Sequence, residues 1–403
     1  MDELPTDVKK TQWKDGSFYS LGSYEYKYKD KLLDLSDNLQ LKNLCLGSSA
    51  LIQQVKAPSS LVNLIISSNV TIEKSLNLSA AKRLTTLVVG SGSQLTDLKL
   101  PDSIVCLYIN SRAQIHGKLD LSPCRQLKFL IIENEARLDN LILPPSLLNL
   151  SIASGVHING LLDLSKCTKL EIFEAEPGLH LRNVLFPQQL RKITFGESSV
   201  VDAKLDLSGC NQLEHLVIGD YAKFSSGCQL PLALKTLIIC PNVRIAGGLD
   251  VSRCRQLEEL HIYYQNSALD LSNCKKLKEL WISDRSPIGM NSLIALEKLR
   301  ISGGSRLYLK EKLDLSRCVN LSSFVIEDGV VILEDVDLSA CERLSSIKID
   351  AIQVELQKDL ILPESLTRLE IGSQVKIKGK IDTSRCKNLK DCKICSFTLK
   401  SWI

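Results

Sequence analysis

A short apolar motif, L-x-x-L-x-I, recurs along the whole chain and limits its possible folds more than any other feature. Its copies start mostly 20 or 23 residues apart. About 17 units of about 22 residues fill the chain, and self-similarity at this period is typical of a solenoid. The copies begin at Leu41, Leu61, Leu84, Ile104, Leu127, Leu147, Leu170, Leu190, Leu213, Leu234, Leu257, Leu277, Leu296, Leu321, Leu344, Leu366 and Leu389.

Two kinds of unit alternate. One has the pattern L-D-L-S-x-C-x-x-L-x-x-L-x-I, as in residues 205–218, and the other has L-x-L-P-x-S-L-x-x-L-x-I, as in residues 141–152. Segments such as 156–165 join them, with apolar and polar residues in strict alternation, which favours β-strand over helix. The predicted fold class is a repeat solenoid with little helix, whose short strands stack into parallel sheets about 4.8 Å apart.

The repeat pattern divides the chain into three segments. Residues 32–394 form the predicted solenoid, and residues 1–31 and 395–403 lie outside it. Both ends are rich in aromatic residues, including Trp13 and Trp402, and a solenoid needs its terminal coils covered. We expect an N-terminal and a C-terminal cap. A disordered leader that engages a partner is the alternative for residues 1–31.

Charge and hydropathy limit the classes of partner. The formal net charge is +4, with 50 Lys and Arg distributed among 46 Asp and Glu, which argues against nucleic acid as the main partner. The first seven residues have neither a basic start nor an apolar stretch, so classical secretion is not expected. No uninterrupted apolar run approaches the roughly 18 residues of a membrane span.

Eight of the 14 cysteines occupy one phase of the repeat. Units that lack this cysteine separate most of them, so their expected spacing of about 10 Å exceeds disulfide reach. We interpret them as small buried thiols, which predicts a reducing, cytoplasmic compartment. The eight are Cys124, Cys167, Cys210, Cys254, Cys274, Cys318, Cys341 and Cys386.

The Asp of L-D-L-S lies between two inward leucines and must point out of the core. We expect it to be solvated or bonded within the turn; a negative strip for a basic partner and calcium ligation are the alternatives. The following Ser is expected to satisfy a backbone group. The nine Asp residues are Asp34, Asp120, Asp163, Asp206, Asp250, Asp270, Asp314, Asp337 and Asp382, with Asn77 in the tenth copy.

No metal site, cofactor or catalytic residue is expected. Cys392 and Cys395 form a C-x-x-C, but a second ligand pair of suitable spacing is missing. The five histidines fall in different phases and show no ligand or triad spacing.

The candidate binding residues come mainly from the outward position of L-x-I. Two apolar runs occur there, one in the first five units and one from Val217 to Trp281. Such a sheet face is a protein-docking surface if it is exposed, and core if the other side of the solenoid packs over it. The predicted sheet-face residues are Tyr108, Ile131, Val217, Ile238, His261, Tyr263, Trp281 and Arg300.

Repeat spacing is irregular in residues 257–345. Two L-D-L-S units come consecutively there, and residues 286–290 replace the usual pattern of the next unit. Register breaks alter the exposed surface of a repeat array, so this zone is the first place to look for a specific site. A tolerated duplication and deletion is the alternative.

These motifs resemble leucine-rich repeats over about residues 32–394. The Cys210-to-Leu213 spacing resembles the BspA-like subclass, and Leu143-Pro144-Pro145-Ser146-Leu147 resembles FNIP repeats and the repeats of effectors that bacteria inject into host cells. The resemblance implies a non-enzymatic protein-binding module, in a host-directed bacterial effector. The alternative function is a β-helix enzyme that acts on polysaccharide through carboxylates from neighbouring coils.

Overall fold

The computed structural model describes residues 11–12, 18–20, 27–263, 269–283, 292–303, 307–310, 312–350 and 352–395. In this part of the chain the regular elements are β-strands, and none is an α-helix. The chain forms two compact units, residues 1–204 and 205–403. Each is a solenoid of parallel strands, which confirms the predicted fold class. The described residues include no helix long and apolar enough to cross a bilayer.

A four-residue strand with the pattern x-L-x-I forms the same side of every coil, and we call these strands the main sheet. In the first unit they pair in parallel register, so that Leu44 lies beside Leu64 and Leu64 beside Leu87. The second and fourth residues point inward and are buried. The strands are Asn43–Leu46, Asn63–Ile66, Thr86–Val89, Cys106–Ile109, Phe129–Ile132, Asn149–Ile152, Ile172–Ala175 and Lys192–Phe195.

The second unit repeats this arrangement, and the irregular spacing of residues 257–345 does not interrupt its main sheet. The register stays in phase because the connections between strands absorb the length changes. The strands are His215–Ile218, Thr236–Ile239, Glu259–Ile262, Glu279–Ile282, Lys298–Ile301, Ser323–Ile326, Ser346–Ile349, Arg368–Ile371 and Asp391–Ile394. The replaced segment 286–290 lies outside the described residues.

The remaining strands return each coil to the main sheet. In the first unit seven pair in parallel: Lys27–Asp34, Leu51–Lys56, Thr71–Asn77, Gln94–Lys99, Gln114–Asp120, Arg137–Ile142 and His157–Ile158. Shorter strands follow at Leu162–Asp163, His180–Leu181, Val184–Leu185 and Val200–Val201. In the second unit they are Leu205–Asp206, Lys223–Phe224, Cys228–Gln229, Arg244–Ile245, Leu307–Leu309, Val330–Ile332, Val336–Asp337, Glu355–Leu356, Leu360–Ile361, Lys376–Ile377 and Ile381–Asp382.

Two strands precede the first coil. Thr11–Gln12 pairs antiparallel with Phe18–Ser20, which pairs in parallel with Asn43–Leu46 and so extends the main sheet of the first unit. The coils also start before residue 32, because Lys27–Asp34 already pairs with Leu51–Lys56. The capping role of residues 1–31 stays a prediction, and residues 396–403 of the predicted C-terminal cap lie outside the described residues.

The core is a set of aliphatic columns, one residue per coil. Leu64, Leu87, Leu107 and Leu130, for example, are fully buried and neighbours in register. Burial of each such side chain stabilises the fold by about 1.5–3 kcal/mol. Because every coil contributes to the same columns, each solenoid buries a continuous core without any one coil having a core of its own.

The two kinds of unit interlock at their turns. The Cys386 thiol donates to the carbonyl of Pro363 on the preceding coil, with a sulfur–oxygen distance of 3.4 Å. In turn, the Ser146 hydroxyl of a Pro-Ser unit donates to the Leu127 carbonyl of the preceding Cys unit, at 2.8 Å. The repeating Cys and Ser therefore satisfy carbonyl groups of the coil before them. All 14 cysteines are free, as expected for structural thiols.

The Asp of every L-D-L-S turn accepts a hydrogen bond from the backbone N–H of the Ser two residues later. Asn77 does the same in the tenth copy. The prediction of turn-bonded Asp is confirmed. Hydrogen bonds from the Ser36 hydroxyl, which has the larger effect, and from Lys56 lower the pKa of Asp34 to about 2. These carboxylates therefore stabilise the turns in which they lie by accepting hydrogen bonds.

Candidate interaction surface

The outward face of the main sheet has two columns of side chains, the first and the third residue of each strand. The predicted surface residues of the third column all lie on this face. Their side chains are partly exposed, except that of His261, which is buried. Tyr263, just after its strand, is also half-buried. Among the described residues, the rest of the solenoid therefore does not pack over this face as a core would.

In the first unit, Tyr108 and Ile131 are register neighbours, and Val88 lies on the other side of Tyr108. Phe129 and Ile65 on the same face are 40% and 43% exposed. This surface is aliphatic and aromatic, and it carries the first of the two predicted apolar runs.

In the second unit, five predicted residues follow one another across adjacent strands. The register places Val217 beside Ile238, Ile238 beside His261, His261 beside Trp281, and Trp281 beside Arg300. We call this row of five residues the 217–300 column. It lies partly in the irregular zone of residues 257–345.

The indole of Trp281 is covered on both sides. The His261 imidazole stacks on it with ring centroids 4.0 Å apart and an angle of 7° between the planes. The Arg300 guanidinium lies 4.1 Å from the ring centroid, a cation–π geometry, and comes from the strand on the opposite side. Glu327 lies 3.3 Å from Arg300 and orients it. The three side chains form one rigid stack.

Two carboxylates converge on the edge of this stack. Glu259 Oε1 lies 3.2 Å from His261 Nε2, and Glu279 Oε1 lies 3.6 Å from the same nitrogen. His261 is only 7% exposed, and its Nε2 has no aligned hydrogen-bond partner among the described residues. Burial lowers the pKa of His261, an effect that the two carboxylates partly oppose. Burial thus favours the neutral imidazole.

Neither glutamate is among the predicted surface residues, because both occupy the first position of their strands and the L-x-I motif marks the third. Side chains alternate along a strand, so Glu259 shares a face with His261. The parallel register then places Glu279 directly beside Glu259. The signal was present as E-L-H-I followed by E-L-W-I in aligned units.

Charged pairs surround the apolar part of the column. Lys235 Nζ lies 2.9 Å from Glu214, and Lys278 Nζ lies 2.7 Å from Glu258. Lys298 Nζ lies 3.1 Å from Glu279 Oε2, on the side away from His261. Such exposed pairs each contribute about 0–1 kcal/mol, so they shape the surface more than they stabilise it.

The geometry gives no support to the polysaccharide-enzyme alternative. The L-D-L-S carboxylates are bonded within their own turns. Glu259 and Glu279 do lie together on neighbouring coils, but the aromatic ring beside them, Trp281, has no free face on which a sugar could stack.

Of the C-x-x-C pair, Cys392 faces inward in register with Leu369, yet both cysteines are exposed.

Comparison with known proteins identifies no family model and no curated relative that matches this chain. Several solved structures are similar to it. They include the functional domain of the internalin InlJ from Listeria monocytogenes, described as containing a cysteine ladder, with 16% identity and a TM-score of 0.43. The match covers 93% of this chain and 66% of that chain, just under two thirds of the internalin domain.

Two other similar structures are also bacterial proteins. A leucine-rich repeat protein of Leptospira interrogans is 14% identical, with 88% of this chain and 90% of that chain covered and a TM-score of 0.42. YopM from Yersinia enterocolitica is 17% identical, with 88% and 83% covered and a TM-score of 0.41.

Proposed function

We propose that this chain is a non-enzymatic protein-binding module, and that the 217–300 column contacts the partner. The observation that carries the proposal is a row that joins the partly exposed Val217 and Ile238 to the stack of His261, Trp281 and Arg300, bordered by ion pairs. An apolar centre with a polar rim is typical of protein interfaces. Trp281 and Arg300 belong to the residue types that dominate binding energy.

The rigidity of this surface supports the same function. Its residues lie on strands held by neighbours on both sides, and Trp281 is fixed between His261 and Arg300. A side chain that is already ordered loses little conformational entropy on binding, which favours affinity. The Tyr108–Ile131 surface of the first unit is proposed as a second contact region for the same class of partner.

A paired-variant experiment tests this function. Trp281→Ala with Ile238→Ala removes the centre of the column, whereas Lys348→Ala with Glu370→Ala changes the same outward position three and four strands beyond Trp281, outside the 217–300 column. A photo-reactive phenylalanine analogue at position 238, and at position 348 as the control, identifies proteins that touch each place. Binding of the captured protein is then measured directly with purified components.

We expect cross-links from position 238, and binding that is at least about tenfold weaker for the first double variant and unchanged for the second. Equal binding by both variants would contradict the assignment of the surface, and so would cross-linking only from position 348. If no protein binds the intact chain at micromolar concentration, the binding function itself is wrong.

We further propose a host-directed bacterial effector that works in a reducing, cytoplasmic compartment. The resemblance of the Pro-Ser units to injected effectors and the 14 free thiols support this setting. Cells that contain the protein are lysed in denaturant that contains an alkylating reagent, so that buried thiols also react, and the modified cysteines are counted by mass spectrometry. Fourteen modified cysteines are expected. A stoichiometric disulfide would overturn the proposed compartment.

A further inference from the structure

Three potential ligand atoms face one point on the main sheet of the second unit. His261 Nε2, Glu259 Oε1 and Glu279 Oε1 all lie within 4.8 Å of one another. Ligand atoms about 2.0–2.2 Å from a zinc ion are roughly 3.4 Å apart in tetrahedral geometry. The distances of 3.2 Å and 3.6 Å from the nitrogen to the two oxygens match this spacing.

The imidazole is unusual because it is buried without a hydrogen bond at Nε2. Its side chain is 9% exposed, and Nε2 is aimed at two carboxylate oxygens with which it is not aligned for hydrogen bonding. A buried polar atom without a partner costs about 1–3 kcal/mol. A cation between the three atoms would remove this cost, because the neutral nitrogen and both oxygens would donate electron pairs to it.

The second oxygen of each carboxylate is held from outside the cluster. Thr236 Oγ1 lies 3.4 Å from Glu259 Oε2, and Lys298 Nζ lies 3.1 Å from Glu279 Oε2. Each Oε1 is therefore left facing His261. Outer hydrogen bonds of this kind orient the ligands in metal sites. The stacked Trp281 fixes the plane of the imidazole in the same way.

We propose that Glu259, His261 and Glu279 form a binding site for a divalent transition-metal ion of the zinc type. One imidazole and two carboxylates suit zinc or cobalt, whereas calcium requires six to eight oxygen ligands. The two carboxylates balance the charge of the ion. Their side chains are 37% and 23% exposed, which leaves the fourth position open to water on the sheet face.

Zinc and cobalt titrations of the full chain test the site. The exposed thiols of Cys392 and Cys395 would bind these metals themselves, so both are first changed to Ser. Binding is measured by equilibrium dialysis with zinc chloride, and by the visible absorption of added cobalt. Cobalt at the proposed site has no thiolate ligand, and so lacks the sulfur-to-cobalt charge-transfer band that cysteine ligation produces.

We expect one zinc per chain in this background. Glu259→Gln and His261→Gln should each weaken binding at least about 100-fold, since loss of even an outer-shell partner costs about 10–100-fold. His180→Gln, which changes an exposed His–Asp pair whose closest atoms are 2.7 Å apart, is the matched control and should leave binding unchanged.

Zinc should also raise the thermal midpoint of the parent and not that of Glu259→Gln, because a ligand stabilises the state that binds it. Glu259→Gln preserves side-chain shape, so it separates metal binding from folding if the His261 variant unfolds. No bound zinc in the parent, or binding unchanged in Glu259→Gln, would overturn the site. The outcome does not depend on whether a protein partner exists.

Discussion

At the scale of single residues, one hydrogen bond is repeated along both units. The carboxylate of Asp337 accepts the backbone N–H of Ser339 at 3.0 Å and its hydroxyl at 2.6 Å. The chain contains its own natural variant of this contact, because Asn77 accepts the Ser79 N–H at 3.0 Å. The contact thus needs an acceptor oxygen more than a charge.

Asp337→Ala should therefore lower the free energy of unfolding by about 1 kcal/mol, the usual contribution of such a hydrogen bond. Asp337→Asn keeps the acceptor, as Asn77 does, and should cost less than half as much. Urea unfolding at neutral pH measures both changes. An equal loss for the two variants would show that charge, and not acceptance, matters at this position.

The buried thiols predict a loss of stability at alkaline pH. Burial raises the pKa of Cys167 to about 12, against about 9 for an exposed thiol. The unfolded chain releases this proton first, so the stabilisation is complete below about pH 9 and is lost as the pH rises toward 12. The urea concentration at the unfolding midpoint should decrease as the pH is raised from 8 to 10.5. It should decrease less in Cys167→Ala.

Ala81 occupies the same repeat phase naturally and is fully buried, so alanine is compatible with this position. Cys392→Ser is the control, since that thiol is exposed and should not alter the pH dependence. If the urea midpoints of the parent and of Cys167→Ala decrease equally at alkaline pH, the buried Cys167 thiol is not a cause of the lost stability.

At the scale of one strand, neighbouring residues have opposite environments. Leu216 is fully buried, whereas Val217, the next residue, faces outward and is half-buried. Period-two alternation produces this difference, and the parallel register repeats it on every coil.

Leu216→Ala should cost about 2–5 kcal/mol, because it leaves a cavity in a closely packed column. Val217→Ala removes fewer buried atoms and should cost less than about 1 kcal/mol. Chemical denaturation of the two variants, with the parent as reference, gives both values. Similar losses would mean that the outward face is as tightly packed as the core.

The repeat allowed the strands and their inward residues to be predicted from sequence. Leu213, Leu216 and Ile218 are buried as their phase indicates, because one period fixes every equivalent position. The Glu259–His261–Glu279 cluster was not predicted. The repeat places Glu259 beside Glu279 on the outward face, but the convergence of both carboxylates on His261 Nε2 depends on side-chain conformation, which periodicity does not encode.

At the scale of the whole molecule, each coil contacts mainly the coils before and after it. The strand Ser346–Ile349 pairs with Ser323–Ile326 on one side and with Arg368–Ile371 on the other. Stability in such an array is a sum of coil and nearest-neighbour terms. Damage to one coil should therefore stay local.

Ile347→Ala should accelerate amide hydrogen exchange in its own strand and in the two strands paired with it, since Ile347 is fully buried between them. Exchange in His215–Ile218, several coils away in the same unit, should stay as in the parent. Exchange measured by mass spectrometry on peptic fragments resolves these segments. Uniform acceleration throughout the second unit would show a single cooperative structure.

The outward columns have a consequence for how this protein can change over generations. Because their side chains stand outside the aliphatic core, a mutation there alters one patch of surface and leaves the coil beneath it intact. Rungs whose outward side chains do not contact one another can vary separately, whereas the rungs that carry His261, Trp281 and Arg300 are constrained to change together. Substitutions can therefore accumulate on the sheet face while the scaffold that carries it is inherited unchanged.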